Sequence, residues 1–93
     1  MGEVVRVEVS KEFLVACAEG IHARPAACLV KLANNYAGEI LIHYQDQVIN
    51  AKSIMRILAA GIKAGARIKV VVSGDSPQSV VEEIEELLGG EVS

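Results

Sequence analysis

The sequence predicts an α+β fold, a two-layer open-faced sandwich of element order βαββαβα. Two observations carry this reading. Four segments alternate apolar and polar residues with a period of two, and three others space their apolar residues as a helix does. Strands with one apolar face and helices with one apolar stripe satisfy each other in two layers. The sheet is expected to be antiparallel, with all helices on one side and the other side wet. A chain of 93 residues is one domain, taken as 1–93, with 1–10 an extended N-terminal segment of uncertain role.

Each element has its own signal. Val5, Val7 and Val9 alternate with Val4, Arg6 and Glu8, and Phe13, Val15 and Cys17 continue the pattern after Ser10-Lys11-Glu12. This reads as one long strand with an irregularity or as two short ones. Gly20 to Pro25 breaks the alternation. Proline suits a first helical turn, where its missing N–H is no loss. Beyond it Ala26, Leu29, Val30, Ala33 and Ala37 fall at helical spacing, which predicts a helix over 23–35 stopped by Gly38, with His22 at or next to its N-cap. Ile40, Ile42 and Tyr44 mark a second strand, Gln45-Asp46-Gln47 a tight turn, and Val48-Ile49-Asn50 a third strand. Ser53 is a good N-cap for a short helix over 54–60, which Gly61 can end in a left-handed conformation. Ile68, Val70 and Val72 alternate in a fourth strand. In the last helix Ser76 caps, Pro77 takes the first position, and Val80, Val81, Ile84, Leu87 and Leu88 form one stripe. Glu82, Glu83, Glu85 and Glu86 face water, and Gly89-Gly90 ends the element.

Composition excludes several classes. The net charge is −3 and the aromatics are Phe13, Tyr36 and Tyr44 alone. Such a chain lacks both the positive excess and the stacking platforms of a nucleic-acid binder. No apolar run approaches the roughly 18–20 residues that span a bilayer. The first residues do not read as a signal peptide. A cytoplasmic protein with reduced thiols is expected, without membrane insertion. Cys17, His22, Cys28 and His43 lack metal-ligand spacing, so no metal and no cofactor is expected. The two thiols read as small buried side chains, and His43 as solvent-facing.

The candidate site is Gly20-Ile21-His22-Ala23-Arg24-Pro25. A helix N-terminus presents unpaired N–H donors and a partial positive charge, so it holds anions. A neutral imidazole at that point keeps a lone pair for attack on phosphorus, and the same N–H groups would then face the phosphoryl oxygens. Arg24 adds a cation able to pair with phosphate.

Gly20 to Ala26 resembles the active-site loop of the HPr family, the histidine-containing phosphocarriers of the phosphoenolpyruvate-dependent sugar phosphotransferase system. Asn50-Ala51-Lys52-Ser53-Ile54-Met55 is similar to the family's regulatory-serine motif. The resemblance spans roughly Lys11 to Leu88. It implies a four-stranded antiparallel sheet covered by three helices. It implies that His22 accepts a phosphoryl group on Nδ1 from phosphorylated Enzyme I and passes it to the IIA domain of a sugar permease, with Arg24 stabilising the group. It implies that Ser53 is phosphorylated where a dedicated kinase exists, with a kinase/phosphorylase and a transcription regulator as further partners. Partners would dock on a face that includes Ala27, Lys31, Ile54, Met55 and Leu58, and the carrier would be a monomer. Ile54 and Met55 read as an exposed apolar pair or as one exposed and one core residue.

Three features depart from the family pattern. Glu19 stands where a small polar residue is usual; it is expected to repel a phosphoryl group on His22 unless its side chain points to water, or else to pair with Arg24. Arg56 stands where glycine is common, and the N-terminus is longer by about seven residues. The expected function is a stoichiometric phosphocarrier, not a turnover enzyme with its own small substrate. The alternative is a regulatory protein of the same fold, acting through phosphorylated Ser53 and protein binding with little phosphoryl carriage. A third class, a small metal- or ligand-binding module, would need cysteine or pocket motifs that the sequence lacks.

Overall fold

The computed structural model describes residues 7–89; Val4, Val5 and Arg6 of the first alternation, and Gly90, lie outside them. Seven elements follow in the expected order: β1 (Val7–Leu14), α1 (Ala23–Asn34), β2 (Glu39–Tyr44), β3 (Gln47–Asn50), α2 (Ile54–Ala60), β4 (Arg67–Gly74) and α3 (Pro77–Leu88). The strands make one antiparallel sheet in the order β1-β4-β2-β3. β1 is a single continuous strand, paired with β4 from Val7↔Gly74 to Leu14↔Arg67. It stops before Val15 and Cys17, which continue its pattern only in sequence.

The period of two decides which residues enter the core. Phe13 of β1, Ile40 and Ile42 of β2, Ile49 of β3, and Ile68, Val70 and Val72 of β4 turn to one face and are buried. That face is covered by the helices. α3 packs on β1 and β4, α2 packs on β3, and α1 packs against both other helices. Ala26, Leu29 and Ala33 of α1, Ile57 of α2, and Val81, Ile84 and Leu88 of α3 complete one core. Each large side chain buried there contributes roughly 1.5–3 kcal/mol against leaving it in water.

Several local expectations are corrected. α1 ends at Asn34, so Ala37 lies beyond it and is exposed. Gly38 is not the stop signal. A Cβ there would collide with the carbonyl oxygen of Ser73, so glycine is needed for close passage of the chain past β4. The β2–β3 turn is tighter than expected, since Gln47 already pairs with Tyr44. Ser76 holds the N-cap position of α3 but sits at φ 51 and makes no side-chain cap bond. Its carbonyl instead accepts from the Ser79 hydroxyl at 3.2 Å. Glu85 does not face water freely: its carboxylate accepts from Lys11 Nζ at 2.7 Å, fastening α3 to β1. Cys28 is exposed, because it lies about a quarter-turn off the buried stripe of α1, while Cys17 is half-buried with Sγ 3.7 Å from the Leu87 and Leu88 carbonyls. His43 is half-buried, beside Lys69 and Val48 on the sheet face away from the helices. No helix among the described residues is long and apolar enough to cross a membrane.

Candidate functional site

The loop that carries His22 is held by main-chain bonds. The Gly20 N–H donates to Cys17 O at 2.9 Å, and the Ile21 N–H donates to Ile62 O at 2.9 Å. Ile62 lies just past α2, so the start of α1 and the end of α2 are fastened together. Gly20 makes this fit. Its φ is +75, and a Cβ would strike the Ile62 carbonyl oxygen. Ile21 and Pro25 on either side are buried and anchor the loop, while His22, Ala23 and Arg24 remain exposed.

His22 is the N-cap of α1, with extended backbone at φ −93 and ψ −164. Its carbonyl accepts the Ala26 N–H at 3.0 Å, the first helical bond. Its Nδ1 accepts a long bond of 3.5 Å from the Arg24 N–H. The first amides of any α-helix have no carbonyl acceptor within it, and that of Arg24 turns to the ring. The side chain is 42% exposed, and its Nδ1 faces the Arg24 N–H. Among the described residues, the Arg24 guanidinium makes no ion pair or side-chain hydrogen bond, which leaves it available to an incoming anion. Glu19 does not pair with Arg24. Its Oε1 instead approaches His22 Nε2, at 4.0 Å.

Ser53 caps α2 as its sequence position suggests. Its Oγ accepts from the Arg56 N–H at 3.3 Å, and Gly61 closes the helix in the left-handed region at φ 64. Ahead of it, Asn50 Oδ1 accepts from the Lys52 N–H at 2.9 Å and sets the turn into the cap. Of the expected docking residues, Ala27 and Lys31 are exposed on α1, Met55 is 74% exposed and Leu58 is 39% exposed on α2. Ile54 is half-buried against the core, so Ile54 and Met55 divide between packing and solvent. α1 and α2 pack on each other, so these side chains share one helical layer with the His22 loop. Arg56 is exposed on the same short helix. Among the described residues, no three or more metal-capable side chains gather.

The Ile62 carbonyl was not legible in the sequence as part of the site. It acts through its main-chain oxygen, and the only trace it leaves is the glycine at position 20.

A family model described as the PTS HPr component phosphorylation site matches residues 9–89. The chain is similar to the phosphocarrier protein HPr from Bacillus anthracis, at 32% identity and a TM-score of 0.82, with 87% of this chain and 96% of that one covered. It is also similar to an HPr from Thermoanaerobacter tengcongensis, at 28% identity and a TM-score of 0.78, covering 90% of this chain and 99% of that one. A third solved relative is Crh of Bacillus subtilis, a catabolite repression protein that forms a domain-swapped dimer. It is 28% identical with a TM-score of 0.70, covering 85% of this chain and 91% of that one.

Proposed function

The chain belongs to the HPr family of the phosphotransferase system, and from that membership we propose that it is a phosphocarrier that takes a phosphoryl group on His22 Nδ1 from phosphorylated Enzyme I. It then yields the group to IIA components of sugar permeases. The observation that supports this most is the placement of His22, an exposed side chain whose Nδ1 faces the Arg24 amide at the start of α1. In the transfer the Nδ1 lone pair forms a bond to phosphorus as the donor's N–P bond breaks. The phosphoryl oxygens replace the long Arg24 N–H bond to Nδ1 with charge-assisted ones. The Arg24 guanidinium swings onto the same oxygens.

A carrier of this kind needs no water-excluding pocket of its own, since each partner completes the cradle. It needs an exposed nucleophile and a docking face. Ala27, Lys31, Ile54, Met55 and Leu58 supply that face, and Met55 suits a surface that meets several partners in turn. The protein works as a cytoplasmic monomer through small, transient interfaces. Ser53 is the regulatory position. A phosphate there would sit at the N-terminus of α2 and place about two negative charges beside the docking face.

The test is to incubate the protein with phosphoenolpyruvate and Enzyme I. The expected product is an acid-labile, base-stable phosphate that disappears in His22→Ala; no label on the wild-type protein overturns the reading. The second reading, regulation through phosphorylated Ser53 with little carriage, draws on the similarity to Crh. It predicts label only with ATP and a kinase, lost in Ser53→Ala and kept in His22→Ala.

A further inference from the structure

We propose that Glu19 is a positioning residue for transfer through His22, biasing the ring so that Nε2 carries the proton and Nδ1 the attacking lone pair. This rests on the phosphocarrier reading. Two contacts on opposite sides of one ring point to it. The Arg24 N–H approaches Nδ1 at 3.5 Å, which favours an acceptor there. The Glu19 carboxylate lies 4.0 Å from Nε2, which favours a proton there. In a neutral imidazole one nitrogen donates and the other accepts, so both contacts select the same tautomer.

The same carboxylate acts after attack. The electron pair of the donor phosphohistidine's N–P bond returns to the donor nitrogen, and the phosphoryl group moves to Nδ1. The proton stays on Nε2, so the phosphorylated ring is left with a positive charge, and Glu19 faces that charge. Repulsion of the phosphoryl group, the simplest expectation for an acid three residues from the acceptor, is reduced because the carboxylate approaches the nitrogen that does not carry it. Glu19 is 80% exposed, so its influence is screened by solvent and the effect on rate is modest. Arg24 lies two residues beyond His22, and the Lys63 backbone of the connection after α2 passes beside Gly20.

The experiment compares the wild-type protein with Glu19→Ala and Glu19→Gln. Phosphoryl uptake from phosphorylated Enzyme I is timed at low and high salt. The ring nitrogens of His22 are read by 15N NMR at alkaline pH, where an imidazole is neutral. Glu19→Ala should slow uptake about two- to fivefold at low salt, and the gap should close in about 1 M salt. The share of the ring protonated at Nε2 should fall in the same variant. Glu19→Gln, which keeps an acceptor oxygen without charge, should restore the ring populations more than the rate. Uptake by Glu19→Ala as fast as or faster than wild type, or unchanged ring populations, overturns the proposal while His22 still labels. Failure of the wild-type protein to label on His22 overturns the phosphocarrier reading itself, and the transfer role of Glu19 with it.

Discussion

The starts of α1 and α2 are built on one plan with different materials. Each helix begins with a side chain that accepts an N–H of its own first turn: His22 Nδ1 from Arg24 at 3.5 Å, and Ser53 Oγ from Arg56 at 3.3 Å. Serine is among the best caps and imidazole is not, so α2 is capped for stability where α1 is not. The α1 loop is held by other means, the Ile21 bond to Ile62 and the close seat of Gly20. A cap position offers an exposed acceptor atom in front of unpaired amides. That arrangement stabilises a helix when the atom is a hydroxyl oxygen, and on the proposed function it prepares a phosphate site when the atom is the nitrogen of His22.

Replacing His22 tests this contrast hardest. His22→Ala should abolish phosphoryl acceptance yet shift stability by less than about 1 kcal/mol, because a 3.5 Å cap bond contributes little. Labelling and denaturant melts report the two effects separately, and a large loss of stability would make His22 a structural cap like Ser53. Gly20→Ala should follow, costing about 2–3 kcal/mol in urea unfolding, since it adds both a positive-φ penalty and a collision with the Ile62 carbonyl. A near-neutral result would mean that the loop does not depend on that close approach. Arg24→Ala should slow transfer about tenfold while leaving the melt within about 0.5 kcal/mol, because the side chain is exposed and unpaired among the described residues. Unfolding in its place would show that Arg24 supports the fold. The smallest effect belongs to the other cap. Ser53→Ala should lower stability by about 1 kcal/mol and leave uptake on His22 unchanged, whereas Ser53→Asp should keep the cap and weaken partner docking in a binding titration.

How much of this could be read in advance follows from distance along the chain. The His22 and Ser53 caps were legible because a cap is decided within four residues, by a side chain and the amides just after it. The core was legible in Ile40, Ile42, Ile68, Val70 and Val72 because a strand displays its buried face at every second position. The Lys11–Glu85 pair was not, since its partners are 74 residues apart and meet only after β1 docks beside α3. Gly38 was misread because a glycine that ends a helix and one that lets two chain segments pass closely look alike in sequence. Ser76 was misread in a related way: its residue type suits a cap, but its backbone is left-handed and its side chain makes no cap bond. Glu19 was legible as unusual, but the direction of its carboxylate depends on a side-chain rotamer that sequence spacing does not set.

The bond from Ile21 to the Ile62 oxygen has one more consequence. A fastening made between peptide groups is indifferent to what is attached to them. Lys63 and Ala64, both turned to solvent beside it, are free to drift over evolutionary time without loosening the His22 loop. Gly20 has no such latitude, since every alternative brings an atom into space the backbone of Ile62, Lys63 and Ala64 already fills. Among descendants of this chain, invariance should gather on the one residue with no side chain at all.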